Sequence, residues 1–138
     1  MENKKEILKK AKKLLDPRIK TLSEITKWVD YLIVDELEDY NTDLLLKGFS
    51  KLDTLEILRT VVAKIRDNGV EQSVLSDSIN TIRMKFDTKR GNIMWPIRVA
   101  ISGKKVALPL FESIEILGKQ KTITRLENAI IKLEEYDG

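Results

Sequence analysis

Two pairs of proline and glycine divide one stretch of this chain, residues 92–118 (NIMWPIRVAISGKKVALPLFESIEILG), into helix, loop and helix. Pro96 and Pro109 each suit a first helical turn, where a missing N–H costs little, and Gly103 and Gly118 each suit a left-handed stop. With Asn92 as N-cap, the first helix places Ile97, Ala100 and Ile101 on one face and Arg98 about 100° around from Ile97. Arg98 then borders the core instead of entering it. The second helix, opened by Pro109, carries Leu110, Phe111, Ile114 and Leu117 as an apolar stripe. Between the two, Ser102-Gly103-Lys104-Lys105-Val106-Ala107-Leu108 begins basic and becomes apolar.

Helical periodicity recurs along most of the chain. Lys4 to Leu15 puts Ile7, Leu8, Ala11, Leu14 and Leu15 on one face and Lys5, Lys9, Lys12 and Lys13 around the other, which is either a solvated face or a phosphate-contacting one. Asp16-Pro17 opens a long helix with Leu22, Ile25, Val29 and Leu32 inward. Asn41 to Lys51 has no long period and holds Gly48, so it is expected to be a connector with at most a short helical turn. Asp53 is expected to cap a helix with the stripe Leu55, Leu58, Val62 and Ile65, stopped by Gly69, and Ser73 to cap another with Leu75, Ile79, Ile82 and Phe86. Thr122 then opens a terminal helix with Ile123, Leu126, Ile130 and Leu133 inward and Lys121, Arg125 and Lys132 outward. No long period-2 run argues for a sheet. The pattern predicts an all-α fold of two small packed helical subdomains, residues 1–45 (the C-terminal part of a first subdomain) and 46–138.

At 138 residues, 42% hydrophobic and 34% charged, the chain suits a globular protein, and no stretch approaches the roughly 20 apolar residues of a membrane span. With no cysteine and no histidine it has no thiol nucleophile, disulfide, imidazole base or usual zinc ligand, and no metal site is expected. No glycine-rich phosphate loop is present. Adjacent carboxylates such as Glu134-Glu135 and Asp35-Glu36 diverge on a helix and make poor acid–base partners. Catalysis and a bound cofactor are therefore not expected of this chain by itself. Cytosolic residence fits.

The net charge of +3 matters less than where the charge lies. Asp35, Glu36, Glu38 and Asp39 crowd together without a cation, whereas Arg83, Lys85, Lys89, Arg90, Arg98, Lys104 and Lys105 are opposed in their segment only by Asp87. A basic loop beside an arginine suits an unstacked RNA segment, because phosphates need cations and splayed bases need apolar or planar surfaces. Trp28 and Trp95 are either base-stacking or core side chains. From these residues alone two functions stand: an RNA-binding region with Lys89, Arg90, Lys104 and Lys105 on the RNA backbone, or a helical protein-interaction module whose basic face is merely solvated. Arg98 is the strongest candidate for a base contact, since its planar fork can make two parallel hydrogen bonds and a lysine cannot.

The run Met94-Trp95-Pro96-Ile97-Arg98-Val99-Ala100-Ile101-Ser102-Gly103, then Leu110-Phe111-Glu112, then Leu117-Gly118-Lys119, resembles the C-terminal end of bacterial-type glutamyl-tRNA synthetases. The family pattern is a Pro-Leu-Arg-Val-Ala-Leu-Thr-Gly-like helix, a short loop, Leu-Phe-Glu, and Leu-Gly-Lys opening a last helix; Ile97 and Ser102 stand here for the commoner leucine and threonine. The looser run Arg18-Ile19-Lys20-Thr21-Leu22-Ser23-Glu24 is similar to the family's arginine-rich helix start. The resemblance implies an anticodon-binding helical bundle belonging to a class I enzyme that joins glutamate to tRNA(Glu) with ATP and magnesium. This chain would then supply tRNA recognition as a monomer, beside a catalytic domain of the same parent protein in the cytoplasm. It also implies that Arg98 and Leu110 meet the first two anticodon bases, that Ala107 and Leu108 line the loop, and that Arg18 meets the third base. The family often carries a polar residue near Ala107, where this sequence has none. An arginine at the third-base site favours discrimination between glutamate and glutamine anticodons.

Overall fold

A computed structural model describes residues 30–34, 37, 39–104 and 108–136. Residues 30–33 are helical, and a 3₁₀ helix follows at Thr42–Leu45. Four α-helices complete the described chain: α1 (Lys51–Asn68), α2 (Gln72–Lys85), α3 (Arg90–Ser102) and α4 (Leu110–Glu134). The described residues contain no strand, so the fold is all-α as the periodicity predicts. The expectations for Lys4–Leu15, the helix opened by Asp16-Pro17, Arg18, Trp28, the Asp35-Glu36 pair, Lys105 and Ala107 lie outside the described residues.

Helix α1 packs on α2 and α4, α3 packs on α2 and α4, and the 3₁₀ helix rests on α3 and α4. Each predicted stripe supplies core residues, including Leu55, Leu58, Val62 and Ile65 from α1, Leu75, Ile79 and Ile82 from α2, and Ile97, Ala100 and Ile101 from α3. Leu110, Ile114 and Leu117 do the same from α4. Tyr31, Leu32 and Leu45, all before residue 46, join that core.

Helix starts depart from the expected caps. Ser50, not Asp53, is the N-cap of α1: its hydroxyl accepts the Asp53 N–H at 3.1 Å and its carbonyl accepts the Thr54 N–H at 2.9 Å. Asp53 sits instead in the first turn, where its charge faces the positive end of the helix dipole. Glu71, not Ser73, precedes α2, without a side-chain cap. Helix α3 begins at Arg90, with Lys89 as N-cap, so Pro96 lies inside the helix and not in its first turn. Tertiary packing carries the extra turn: Ile93 is fully buried, and the Trp95 indole N–H donates to the Leu44 carbonyl at 2.8 Å. Those contacts offset the backbone bond that Pro96 cannot make. Lys47 lies over the same indole at 4.0 Å, so Trp95 is a half-buried tie between connector and bundle.

Gly118 breaks α4 as expected, at φ 83° and ψ 170°, and the helix resumes beyond it. The break explains an orphan. Thr54, Thr60, Ser78, Thr81 and Ser102 each donate a hydroxyl to a carbonyl four residues back, at 2.7–2.9 Å. Thr122 is equally helical, but the residue four back is Gly118, whose backbone has left the helical path, and its buried hydroxyl has no hydrogen-bond partner among the described residues. Thr122→Val keeps the shape and removes the unpaired group. We expect it to raise unfolding free energy by about 1 kcal/mol, read as a higher urea midpoint at unchanged m-value.

Candidate nucleic-acid interface

The end of α3 is built to turn sharply. Gly103 takes the left-handed conformation (φ 71°, ψ 15°), and its N–H closes the helix on the Val99 carbonyl at 2.6 Å. A Cβ at that position would meet the Tyr40 ring at 3.2 Å, so glycine is required by space as well as by backbone angle. Ser102 donates to the Arg98 carbonyl at 2.7 Å and accepts the Lys104 N–H at 3.1 Å, which fixes the first residue of the loop. The Lys104 ammonium pairs with Asp30 and lies 5.9 Å from the Tyr31 ring.

Arg98 lies half-buried on α3, at the border of the core that its angle from Ile97 predicts. Its Nε is buried without a hydrogen-bond partner among the described residues. Leaving that donor unpaired costs free energy. Leu108 and Leu110 stand just beyond the loop, 3% and 2% exposed. Both side chains belong to the core, and neither presents an apolar face to a base in this arrangement.

Tyr31 ties this region together from below. Its hydroxyl is 2.7 Å from Ser113 Oγ and accepts the Leu108 N–H at 3.2 Å. Burial pushes the Tyr31 phenol above its ordinary pKa; these two hydrogen bonds, then the charges of Arg125 and Arg98, oppose the shift. Arg125, expected on the outward face of the last helix, is instead 4% exposed. One of its terminal nitrogens donates to the Tyr31 carbonyl at 2.6 Å and the Ile101 carbonyl at 2.7 Å, and the other to the Val34 carbonyl at 2.9 Å. These carbonyls lie at the ends of the 30–33 helical turn and of α3, the negative poles of two helix dipoles. The terminal nitrogens are thus matched to their cage, although the Nε, like that of Arg98, has no partner among the described residues and desolvation pulls the pKa below the ordinary value.

The remaining basic candidates are spread along α3. Lys89 is an exposed N-cap residue; Arg90 donates to Ser76 Oγ at 3.2 Å and lies 5.9 Å over the Phe111 ring. Arg90 and Arg98 are eight residues apart, about 12 Å along a helix. Arg83 bonds Asn80 at 3.3 Å and Lys85 pairs with Glu56, so these two cations, like Arg90 and Lys104, already have partners within the domain. A hollow of ≈ 590 Å³ lies elsewhere, beside Tyr40, Arg125 and Lys132. Its own charges are already matched there: Lys132 pairs with Asp39 and lies 4.7 Å over the Tyr40 ring, whose phenol burial pushes up to about 12.

Over residues 1–130 the chain matches the family described as "Anticodon binding domain". It belongs to that family. Among curated relatives, the glutamate–tRNA ligase of Clostridium tetani is 37% identical over 134 residues, which are 92% of this chain and 27% of that protein. The glutamate–tRNA ligase of Streptomyces avermitilis is 38% identical over 120 residues, 84% of this chain and 23% of that protein. The domain therefore spans about a quarter of the length of the curated relatives it matches. Its fold is shared with the crystal structure of a glutamate tRNA ligase from Elizabethkingia meningosepticum in complex with its amino acid, at TM-score 0.79 and 20% identity, over 96% of this chain and 26% of that one. Within the anticodon binding domain, the half-buried Arg98 lies near the C-terminal end of α3, Gly103 and Lys104 follow that end, and Leu108 is tied beside it through the Tyr31 hydroxyl.

Proposed function

We propose that this chain is the anticodon-binding region of a glutamate–tRNA ligase, that its RNA is tRNA(Glu), and that Arg98 makes the decisive base contact. The observation that carries this is the half-buried Arg98 guanidinium, whose Nε lacks an acceptor at the lip of a basic-to-apolar loop. Such a group, already desolvated, gains more from a base edge than a solvated one does. Leu110, Ala107 and Leu108 supply apolar contacts to the first anticodon bases, Lys89, Arg90, Lys104 and Lys105 follow the phosphates, and Arg18 meets the third base. ATP, magnesium and glutamate are handled by a catalytic domain of the same parent protein, a cytoplasmic monomer in which residues 1–45 complete the preceding helical subdomain.

The reading is tested by measuring tRNA(Glu) affinity for this chain across a salt series. About three phosphate contacts, each worth a log–log slope of roughly −0.7 on single-stranded RNA, give a slope near −2, or about 16-fold weaker binding at 200 mM than at 50 mM salt. A flat response would sink the RNA function and favour a protein-interaction module with a solvated basic face.

A further inference from the structure

We propose that Tyr31 is a positioning residue for anticodon recognition: its hydroxyl holds Leu108 and the first turn of α4 against the end of α3, beside which Arg98 meets its base. This inference rests on the anticodon reading above and adds to it a residue outside the loop and outside α3.

Several observations converge on the Tyr31 hydroxyl. It is the shared partner of the Leu108 N–H, at 3.2 Å, and of Ser113 Oγ, at 2.7 Å, so it fixes both the last residue of the loop and the first turn of α4. Ser113 Oγ donates to the Leu108 carbonyl at 3.4 Å, so Leu108 is held at both its N–H and its carbonyl. The other end of the loop is tied to the same place, through the pairing of Lys104 with Asp30. Tyr31 cannot drift, because Arg125 grips its own carbonyl at 2.6 Å while binding Ile101 at the end of α3. The distance between the α3 terminus and the loop exit is therefore set by one tyrosine, anchored at backbone and hydroxyl alike.

A tyrosine that only fills the core would differ from this in a measurable way. Tyr31→Phe keeps the ring and removes the hydroxyl alone, leaving Leu108 N–H and Ser113 Oγ without their shared partner. Binding would be measured to tRNA(Glu) and to the same tRNA with the base at the Arg98 contact changed, at one salt concentration, with folding followed by circular dichroism. We expect Tyr31→Phe to weaken binding of tRNA(Glu) roughly tenfold and of the changed tRNA by less than about twofold, because misplacing a reading group costs only the contact it makes. Ser113→Ala removes the other partner of the hydroxyl and is expected to act in the same direction, with less than additive loss in the double variant. It also serves as the test should Tyr31→Phe fail to fold. Equal losses on the two RNAs, or none on either, overturn the proposal. Arg98→Ala run beside it separates the failures: if that variant loses discrimination and Tyr31→Phe does not, the positioning role falls alone, and if neither loses it, the anticodon reading falls as well.

Discussion

Arg125→Ala is expected to lower the unfolding free energy by about 3–5 kcal/mol. The substitution removes one guanidinium and leaves three carbonyls, those of Tyr31, Val34 and Ile101, without their donors in an interior where water cannot replace them. Hydrogen bonds to a charged donor are worth roughly 1.5–3 kcal/mol each, and only part of that loss is recovered if the helix ends relax. The void left by the side chain adds to the cost. Thermal denaturation followed by circular dichroism would show a fall of about 10–20 °C for a domain of this size. Arg125→Lys should recover part of the loss, since a lysine keeps the charge near two dipole ends but cannot span three acceptors. A change of about 0.5 kcal/mol or less, the usual result for a solvent-facing residue, would restore Arg125 to the outward position that polarity alone assigns it.

That contrast shows what the sequence makes legible. The stripes of α1 to α3 are readable because burial repeats at the helical period, and Leu55, Leu58, Val62 and Ile65 face the core as that period requires. Gly103 and Gly118 are readable because few residues accept a left-handed backbone, and both adopt one. Helix starts are less so, since a cap is a local competition that distant contacts decide. Ser50 wins over Asp53, and buried Ile93 and the Trp95 bond to Leu44 extend α3 through Pro96. Arg125 is concealed by its charge, and the signal that could have found it is small neighbours: Thr122 and Ala129, three before and four after on the same face, are both fully buried. Of the candidate interface, the half-buried position of Arg98 and the stop of α3 at Gly103 are legible from spacing. Tyr31 is not, because nothing local announces that its hydroxyl will meet residues 108 and 113.

Arg98→Ala should weaken binding to tRNA(Glu) by roughly 1–3 kcal/mol, or about 5- to 150-fold, if it makes a bidentate contact to a base edge. Against a tRNA whose contacted base has been changed, the loss should be far smaller, because the wild-type arginine has little there to lose. The comparison matters more than either affinity, since deleting any cation near RNA weakens both complexes through general electrostatics. Equal losses would make Arg98 a phosphate contact. No loss on either RNA would exclude it from RNA recognition, and folding does not confuse the result: the side chain is only half-buried and its Nε forms no bond among the described residues. Removing that unpaired donor costs no internal hydrogen bond.

The bonds that define the interface also have a place in time. Tyr31 and Ser113 are 82 positions apart and Tyr31 and Arg125 are 94 apart, in a protein whose other backbone bonds are mostly within single helices. Contacts of that separation must wait for the chain entropy of closure to be met by the condensation of the helices. We therefore expect them to form on the native side of the folding barrier, so that the Arg125→Ala loss appears as faster unfolding with little change in the refolding rate. A slower refolding rate would put the clamp in the nucleus instead. On this view the anchor that Tyr31 gives to Leu108 and α4 is set last, and how long it holds is governed by the rate at which the native state opens.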